Sequence, residues 1–203
     1  MQDFQTQSLW SQVSGKCISG EMEGAVLDLV PSQHMFFADF ASLYPEGQVL
    51  AKPARGQPGS AYGDYFRSED KLGVFGRAND FDRLPGKALV WGLRLESGPI
   101  AVAQTLLDSV RWVLIDDSRP PVAVVSDTAG HTVAAFDLSG LQPAEVERLG
   151  LINDQLVLAG GDRRWNPISG RALGGGSELK PLPLISAYWF AWASFFPETR
   201  LIK

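Results

Sequence analysis

Apolar residues along the chain follow two different periods. Between Ser32 and Leu43, the residues Met35, Phe36, Phe37, Phe40 and Leu43 keep to one side of a helical wheel. A serine able to cap opens this stretch and Pro45 closes it, so a helix is predicted over 33–44 with one buried stripe. Between 186 and 196, Tyr188, Trp189, Trp192, Phe195 and Phe196 recur at spacings of three and four, and Phe190 makes the opposite side apolar too. A helix apolar almost all round belongs between a sheet and another layer, with Trp189 and Trp192 buried. The period falls to two in ALVWGLRL, where Leu89, Trp91, Leu93 and Leu95 share a face. RWVLI follows, then two β-rich runs flank the turn signal DTAG in PVAVVSDTAGHTVAAFDL, and Asn153-Asp154 marks a hairpin in LGLINDQLVLAG. Four to six strands and then one helix are expected between 84 and 203.

The helical stretches are related. Residues 36–50, FFADFASLYPEGQVL, align without a gap on residues 188–202, YWFAWASFFPETRLI, sharing AS, PE and most apolar positions. Upstream, SLWSQVSGKCISG (8–20) aligns on RRWNPISGRALGG (163–175), matching Trp10 to Trp165, Ser14 to Ser169, Gly15 to Gly170 and Gly20 to Gly175. The offset is 155 there and 152 afterwards, so the second copy is three residues shorter before its helix. The expected fold is mainly β with a few short helices (α+β), a single domain over 1–203 made of a duplicated β-rich unit, each copy ending in a short aromatic helix. Residues 1–52 would be the C-terminal part of repeat 1, 53–83 a connecting loop region rich in Pro, Gly and Ser, and 84–203 repeat 2. Trp165 follows about 80 residues of its repeat, whereas Trp10 follows nine, which reads as a first copy cut short. Uncovered edges and apolar surface near residues 1–30 would then promote self-association.

DFQTQSLWSQVSGKCISG resembles the segment "D, any two, TGS, any, W, then G and G" of the bacterial and archaeal domain of unknown function 3179 family. ISAYWFAWASFFPETRL resembles that family's C-terminal segment, and LPGKALVWGL the lead-in to its second strand set. The resemblance implies a fold without an assigned activity and an extracytoplasmic setting. It also implies that a strand segment with a Cys-Pro-Leu-Cys-like motif is missing ahead of the first motif here. In the second repeat Ser126 and Ala129 stand where such cysteines would be, so thiol or metal chemistry proposed for the family is not carried by this chain.

Composition narrows the function classes. With 45% hydrophobic residues, 20% charged, 21 Gly and 13 Pro, the 203-residue chain is globular and rich in turns. Its net charge of -5 comes without a basic block, which argues against nucleic acid as a partner. A single cysteine, Cys17, excludes an internal disulfide or a thiolate cluster. MQDFQTQSLWSQ has neither the cationic start nor the apolar run of an export signal, and the 15 residues from Leu182 to Phe196 fall short of the about 20 a bilayer span needs.

No catalytic constellation emerges. Ser126, Asp127 and His131 form a nucleophile-like set on paper, but the DTAG turn accounts for Asp127 and His131. Asp116-Asp117 reads as a turn, and LGGGSE (173–178) lacks the Lys and Ser/Thr of a phosphate loop. Two histidines and one cysteine predict neither a metal site nor a cofactor. The binding candidates are the repeated Trp10 and Trp165, His34 at the first helix, and Tyr62 and Tyr65 in YGDYFRSED. The expected function is a non-enzymatic binding or structural domain for a small molecule, glycan or protein. The alternatives are a hydrolase-like enzyme with its site between the repeats, or a metal or redox module whose cysteines lie in the missing part.

Overall fold

Strands β6 (Val122–Ser126) and β7 (Val133–Asp137) are buried at every position, and that explains the architecture around them. A strand covered on one face alternates apolar and polar residues, whereas VAVVS and VAAFD are nearly continuous because both faces are covered. The computed structural model describes residues 1–51, 63–69, 71–73, 82–127, 129, 131–158 and 162–203. The chain is mainly β, 31% strand against 16% helix.

Two four-stranded sheets make the centre. In one, β5 (Trp112–Ile115), β6, β7 and β11 (Lys180–Pro181) lie side by side, antiparallel throughout. In the other, the hairpin β3 (Leu89–Leu95) and β4 (Gly98–Ala103) is flanked by β12 (Ile185–Tyr188), antiparallel to β3, and β13 (Arg200–Ile202), parallel to β4. Trp91, Leu93, Ile100 and Val102 of the second sheet pack on Val122, Val124, Val133 and Ala135 of the first, with Leu107 from helix α3 (Gln104–Val110). The opposite face of β6–β7, with Ala123, Val125 and Phe136, packs on Trp165, Leu149 and Leu156 of a small meander, β8 (Leu149–Ile152), β9 (Gln155–Leu158) and β10 (Arg164–Trp165), and on α4 (Pro143–Val146). The opposite face of β3–β4, with Val90 and Ala101, is covered by α5 (Trp189–Phe195). Four layers result. Gly92 lies under α5, where a Cβ would overlap the Trp192 ring, so the close approach of helix to strand requires glycine. The Asn153-Asp154 turn is confirmed, with positive φ at both residues as a two-residue hairpin demands.

Some sequence expectations need correction. The repeat-2 region holds more strands than the expected four to six, and it adds α3 and α4. The predicted helices start late: α1 spans Phe37–Leu43 and α5 Trp189–Phe195. Ser32 and Ser186 cap neither, because 185–188 is a strand pairing with β3 and the helix N-caps are Phe36 and Tyr188 in extended conformation. The stripe predicted to be buried on α1 is not: no residue of α1 is buried, and Phe37 is 68% exposed. Its twin buries Trp189 and Trp192 fully, as expected, but is not enclosed on all sides: it packs one face on β3–β4 and leaves Phe195 48% exposed. Helix α2 (Gly63–Arg67) belongs to the expected connection, most of which lies outside the described residues.

The two aligned segments share backbone detail. Both helices are seven residues long, and their C-caps have φ/ψ of -131/70 at Tyr44 and -132/68 at Phe196. Gly15 (φ 66) bonds to Ser11 O and Gly170 (φ 71) to Asn166 O, each at 2.9 Å. Leu27 N donates to Gly15 O and Leu179 N to Gly170 O, again at 2.9 Å each. The offset between the aligned segments changes from 155 to 152 within these turns, and the hydrogen bonds match at both ends. Trp10 of β1 (Leu9–Trp10) faces Cys17 of β2 (Cys17–Ser19), as Trp165 bridges Ala172. An arginine clamps each helix end: Arg171 donates to Leu43 O and lies over Tyr44, and Arg83 donates to Thr199 O and Pro197 O and lies over Trp189.

Candidate functional site

A groove of about 510 Å³ opens where the N-terminal segment crosses the end of the central layers. Antiparallel register sets Ser186 of β12 opposite Trp91 of β3, and Leu89 lies one step of the pleat away. The chain leaves β4 directly into α3, which places Gln104 and Asp108 one turn apart on the same wall. These groups are already ordered by one another. The Trp91 indole N–H donates to Gln104 Oε1, and Gln104 Nε2 donates to Asp108 Oδ1 at 2.6 Å. The amide is thereby fixed in orientation, and Asp108 keeps a second carboxylate oxygen for an incoming donor.

The third wall is the β6–β7 turn. Asp127 Oδ1 accepts the His131 backbone N–H at 2.9 Å, the Asx-type turn the sequence implied, and Ala129 and His131 project into the groove. His34 arrives from the extended segment before α1. The edge of Phe36 meets His131 with ring centroids 4.8 Å apart, joining that segment to the turn. Both histidines of the chain therefore line one groove, with a carboxylate, a carboxamide and a hydroxyl.

The other predicted binding residues are elsewhere. Trp10 is buried, and its indole donates to Asp3 Oδ2 at 2.8 Å. Trp165 is buried in the core against β6–β7, borders a cavity of about 210 Å³, and donates to Ser177 O at 2.9 Å. Tyr65 sits in α2 beneath Lys87 Nζ, 4.0 Å from the ring centroid, and its hydroxyl accepts from Gly73 N. Tyr62 lies outside the described residues. Of the four described, His34 alone lines the groove. Sequence reading missed Trp91, Gln104, Asp108 and Ser186, and weighed His131 as part of a Ser126–Asp127–His131 set before preferring the turn. Gln104 and Asp108 at helical spacing right after an apolar strand were the one available signal.

A second cavity, about 290 Å³, separates α1 from the rest of the molecule. Met35, Phe40 and Tyr44 line one side, and Ala134, Ile168, Leu182 and Leu184 the other. Ser32, Gln33 and Ser169 add polar groups to its lining, which includes no acid or histidine. Cys17 is buried, and among the described residues no group of three His, Cys, Asp or Glu could hold a metal ion. Nor is any helix among them long and apolar enough to cross a membrane.

Charge is unevenly placed. Residues 1–50 hold six acids (Asp3, Glu21, Glu23, Asp28, Asp39 and Glu46) against Lys16, which accounts for the whole net charge of -5 and leaves 51–203 neutral. Among the described acids, the carboxyl shifted furthest is that of Asp3. The Trp10 indole N–H, then the Thr6 backbone N–H and hydroxyl, hold its carboxyl down at about 2.

Layered, mostly antiparallel sheets with an aromatic helix against one of them, and a polar groove at one end, define a β-rich α+β domain. The family model described as "Protein of unknown function (DUF3179)" matches residues 1–199, and the chain belongs to that family. The match begins at the first residue and lends no support to the expectation that the family's N-terminal part is missing. No curated protein and no solved structure matches the chain.

Proposed function

We propose that this protein is a non-enzymatic binding domain, and that its ligand is a hydroxyl-rich molecule such as a glycan seated in the His34–His131 groove. The observation that carries this reading is the convergence of Gln104, Asp108, Ser186 and two imidazoles from four separate parts of the chain around one open groove. The Asp108 carboxylate accepts from one hydroxyl while the second N–H of the oriented Gln104 carboxamide donates to its neighbour, the pairing that vicinal diols require. Leu89 and Ala129 supply apolar surface for the C–H face of a sugar ring. Titration of soluble oligosaccharides by calorimetry tests the reading. One class should saturate at a single site, with affinity falling about tenfold in Asp108→Asn and in His34→Ala. A folded protein that binds no member of the panel rejects it.

Ser186 and two histidines in one groove are also what a hydrolase would present. Among the described residues, however, Ser186 Oγ makes no hydrogen bond to either imidazole, so the nucleophile–base pair such chemistry needs is not assembled. The apolar cavity between the aligned segments offers no acid–base pair either. For a metal or redox module, the buried Cys17 thiol, whose nearest acceptor is Ser19 O, gives no support.

We also infer that the fold contains a duplicated unit, with 1–52 closing the first copy, 84–203 forming the second and 53–83 joining them. The matched helix lengths, C-cap angles and Gly15/Gly170 turns support this, as do the paired Leu27 and Leu179 hydrogen bonds. An experimental structure in which residues 9–50 do not superpose on 164–202 would sink it.

A further inference from the structure

The wall that α1 and the segment before it raise over the 290 Å³ cavity is fastened around its rim. Gln33 Nε2 donates to Ile168 O at 2.6 Å, the edge of Phe36 meets His131, and Arg171 donates to Leu43 O and lies over the Tyr44 ring. Within these three holds, Met35, Phe40 and Tyr44 line one side of the cavity, and β7, Leu182 and Leu184 line the other. Side chains alternate along both walls. Gln33 and Met35 line the cavity while His34 between them lines the polar groove; across from them, His131 lines the groove and Val133 the cavity. The two sites share walls but no lining residue.

The cavity has a polar end and an apolar end. Ser32 and Ser169 are the chain neighbours of the bonded pair Gln33 and Ile168, so two hydroxyls and a carboxamide gather there. With Nε2 committed to Ile168 O, Gln33 keeps Oε1 as an acceptor, and either serine can donate. The remainder is aromatic and aliphatic: the Phe40 and Tyr44 rings with centroids 5.7 Å apart, the Met35 thioether, and Leu182 and Leu184. No charged side chain lines the cavity, and Arg171, outside the lining, is held by Leu43 O and the Tyr44 ring. A carboxylate or ammonium placed inside would be buried without a partner. Pro31 and Ser32 are exposed and mark the mouth. A cavity of about 150 Å³ accepts benzene, so one of 290 Å³ accepts roughly a dozen non-hydrogen atoms. We propose that this cavity is a binding site for a small uncharged aromatic alcohol, its ring held by Met35, Phe40 and Leu184 and its hydroxyl by Gln33. The proposal stands apart from the glycan reading, whose groove has a separate lining.

The probe is 2-naphthol, a fused ring with one hydroxyl, and 2-naphthoate is its charged counterpart. Titrated into the full chain at neutral pH and followed by nuclear magnetic resonance, 2-naphthol should saturate a single site. Its ring protons should show Overhauser contacts to the methyl groups of Met35 and Ile168. The carboxylate of 2-naphthoate should cost at least roughly tenfold in affinity. Met35→Trp and Leu184→Trp fill the cavity from opposite walls, and each should weaken 2-naphthol by at least roughly tenfold while circular dichroism reports an intact fold. Phe195→Asp, at an exposed position of α5, should leave binding unchanged. Absence of saturation overturns the proposal, as do contacts confined to residues outside the cavity or binding indifferent to both tryptophan variants. Equal affinity for 2-naphthoate overturns the choice of an uncharged ligand. Where a tryptophan variant does not fold, the Overhauser contacts in the unaltered chain decide.

Discussion

Phe37 and Trp189 open helices of equal length that end in the same C-cap geometry, yet the first ring faces solvent and the second is sealed in the core. Local sequence shapes both backbones: an extended N-cap, seven residues, then a Pro-Glu corner. Seven residues are too few for an isolated helix to be stable in water, so each depends on what it touches. For α5 that partner is the β3–β4 hairpin, with Trp192 donating to Thr199 Oγ1 at 3.0 Å. For α1 the holds are peripheral: Arg171 on Leu43 O and Tyr44, Gln33 on Ile168 O, and Phe36 on His131. The same helix is thus a core element in one place and a surface element in the other. The difference lies in the strands beneath it, not in the helix.

The comparison breaks most visibly if Trp192 is removed. Trp192→Ala should cost about 3–5 kcal/mol in chemical denaturation, while Phe40→Ala at the aligned position should cost less than half as much. Next in size is Gly92→Ala. Its methyl would press into a Trp192 ring anchored by Thr199, so a loss of about 1–3 kcal/mol is expected in the same measurement. In the first segment, Gln7 holds φ 56, the left-handed region that a non-glycine side chain disfavours. Gln7→Gly should therefore raise stability by up to about 1 kcal/mol, read as a higher denaturation midpoint.

A smaller effect separates the two tryptophans. Trp10 donates to a carboxylate and Trp165 to a backbone carbonyl, so only the first pairing titrates. The folded pKa of Asp3 is depressed to about 2, below the about 3.9 of an unfolded aspartate, so its stabilisation is complete above the higher value and disappears as pH falls through the lower. The Trp10 indole proton should shift in that window by nuclear magnetic resonance, Trp165's should not, and Asp3→Asn should abolish the shift. Smallest of all, Phe37→Ala should change stability by no more than about 0.5 kcal/mol.

Much of the second half was legible in the sequence because burial there follows pattern: the β3 alternation, the continuous runs of β6 and β7, and the aromatic stripe of α5. The same reasoning failed on α1, since a stripe at helical spacing reports a face that can be buried and says nothing of whether a partner is present. Helix boundaries failed for a related reason. Ser186 looks like a cap, but its backbone is committed to β3 a long way back in the sequence. Of the groove, His34 was found and the rest was not. Gln104, Asp108 and Ser186 are ordinary surface types whose convergence depends on α3 turning back over the sheet. His131 had a sound local explanation, the Asp127 turn, and that explanation holds alongside its place in the groove.

The pairing of β12 and β13 with β3 and β4 has a consequence for how the protein comes into being. Each edge strand joins a partner roughly a hundred residues earlier, so the helix-covered sheet is assembled from contacts of high sequence separation, which slow folding. On a translating ribosome the β3–β4 hairpin emerges first and must wait, with Val90, Gly92 and Ala101 bare, until residue 202 has been made. During that interval its natural rival for a covering helix is α1, already synthesised and bearing the same aromatic row. Order of synthesis therefore leaves the hairpin bare beside an early helix before the late one arrives, and only the late one comes flanked by strands, β12 and β13, that pair with the hairpin's edges.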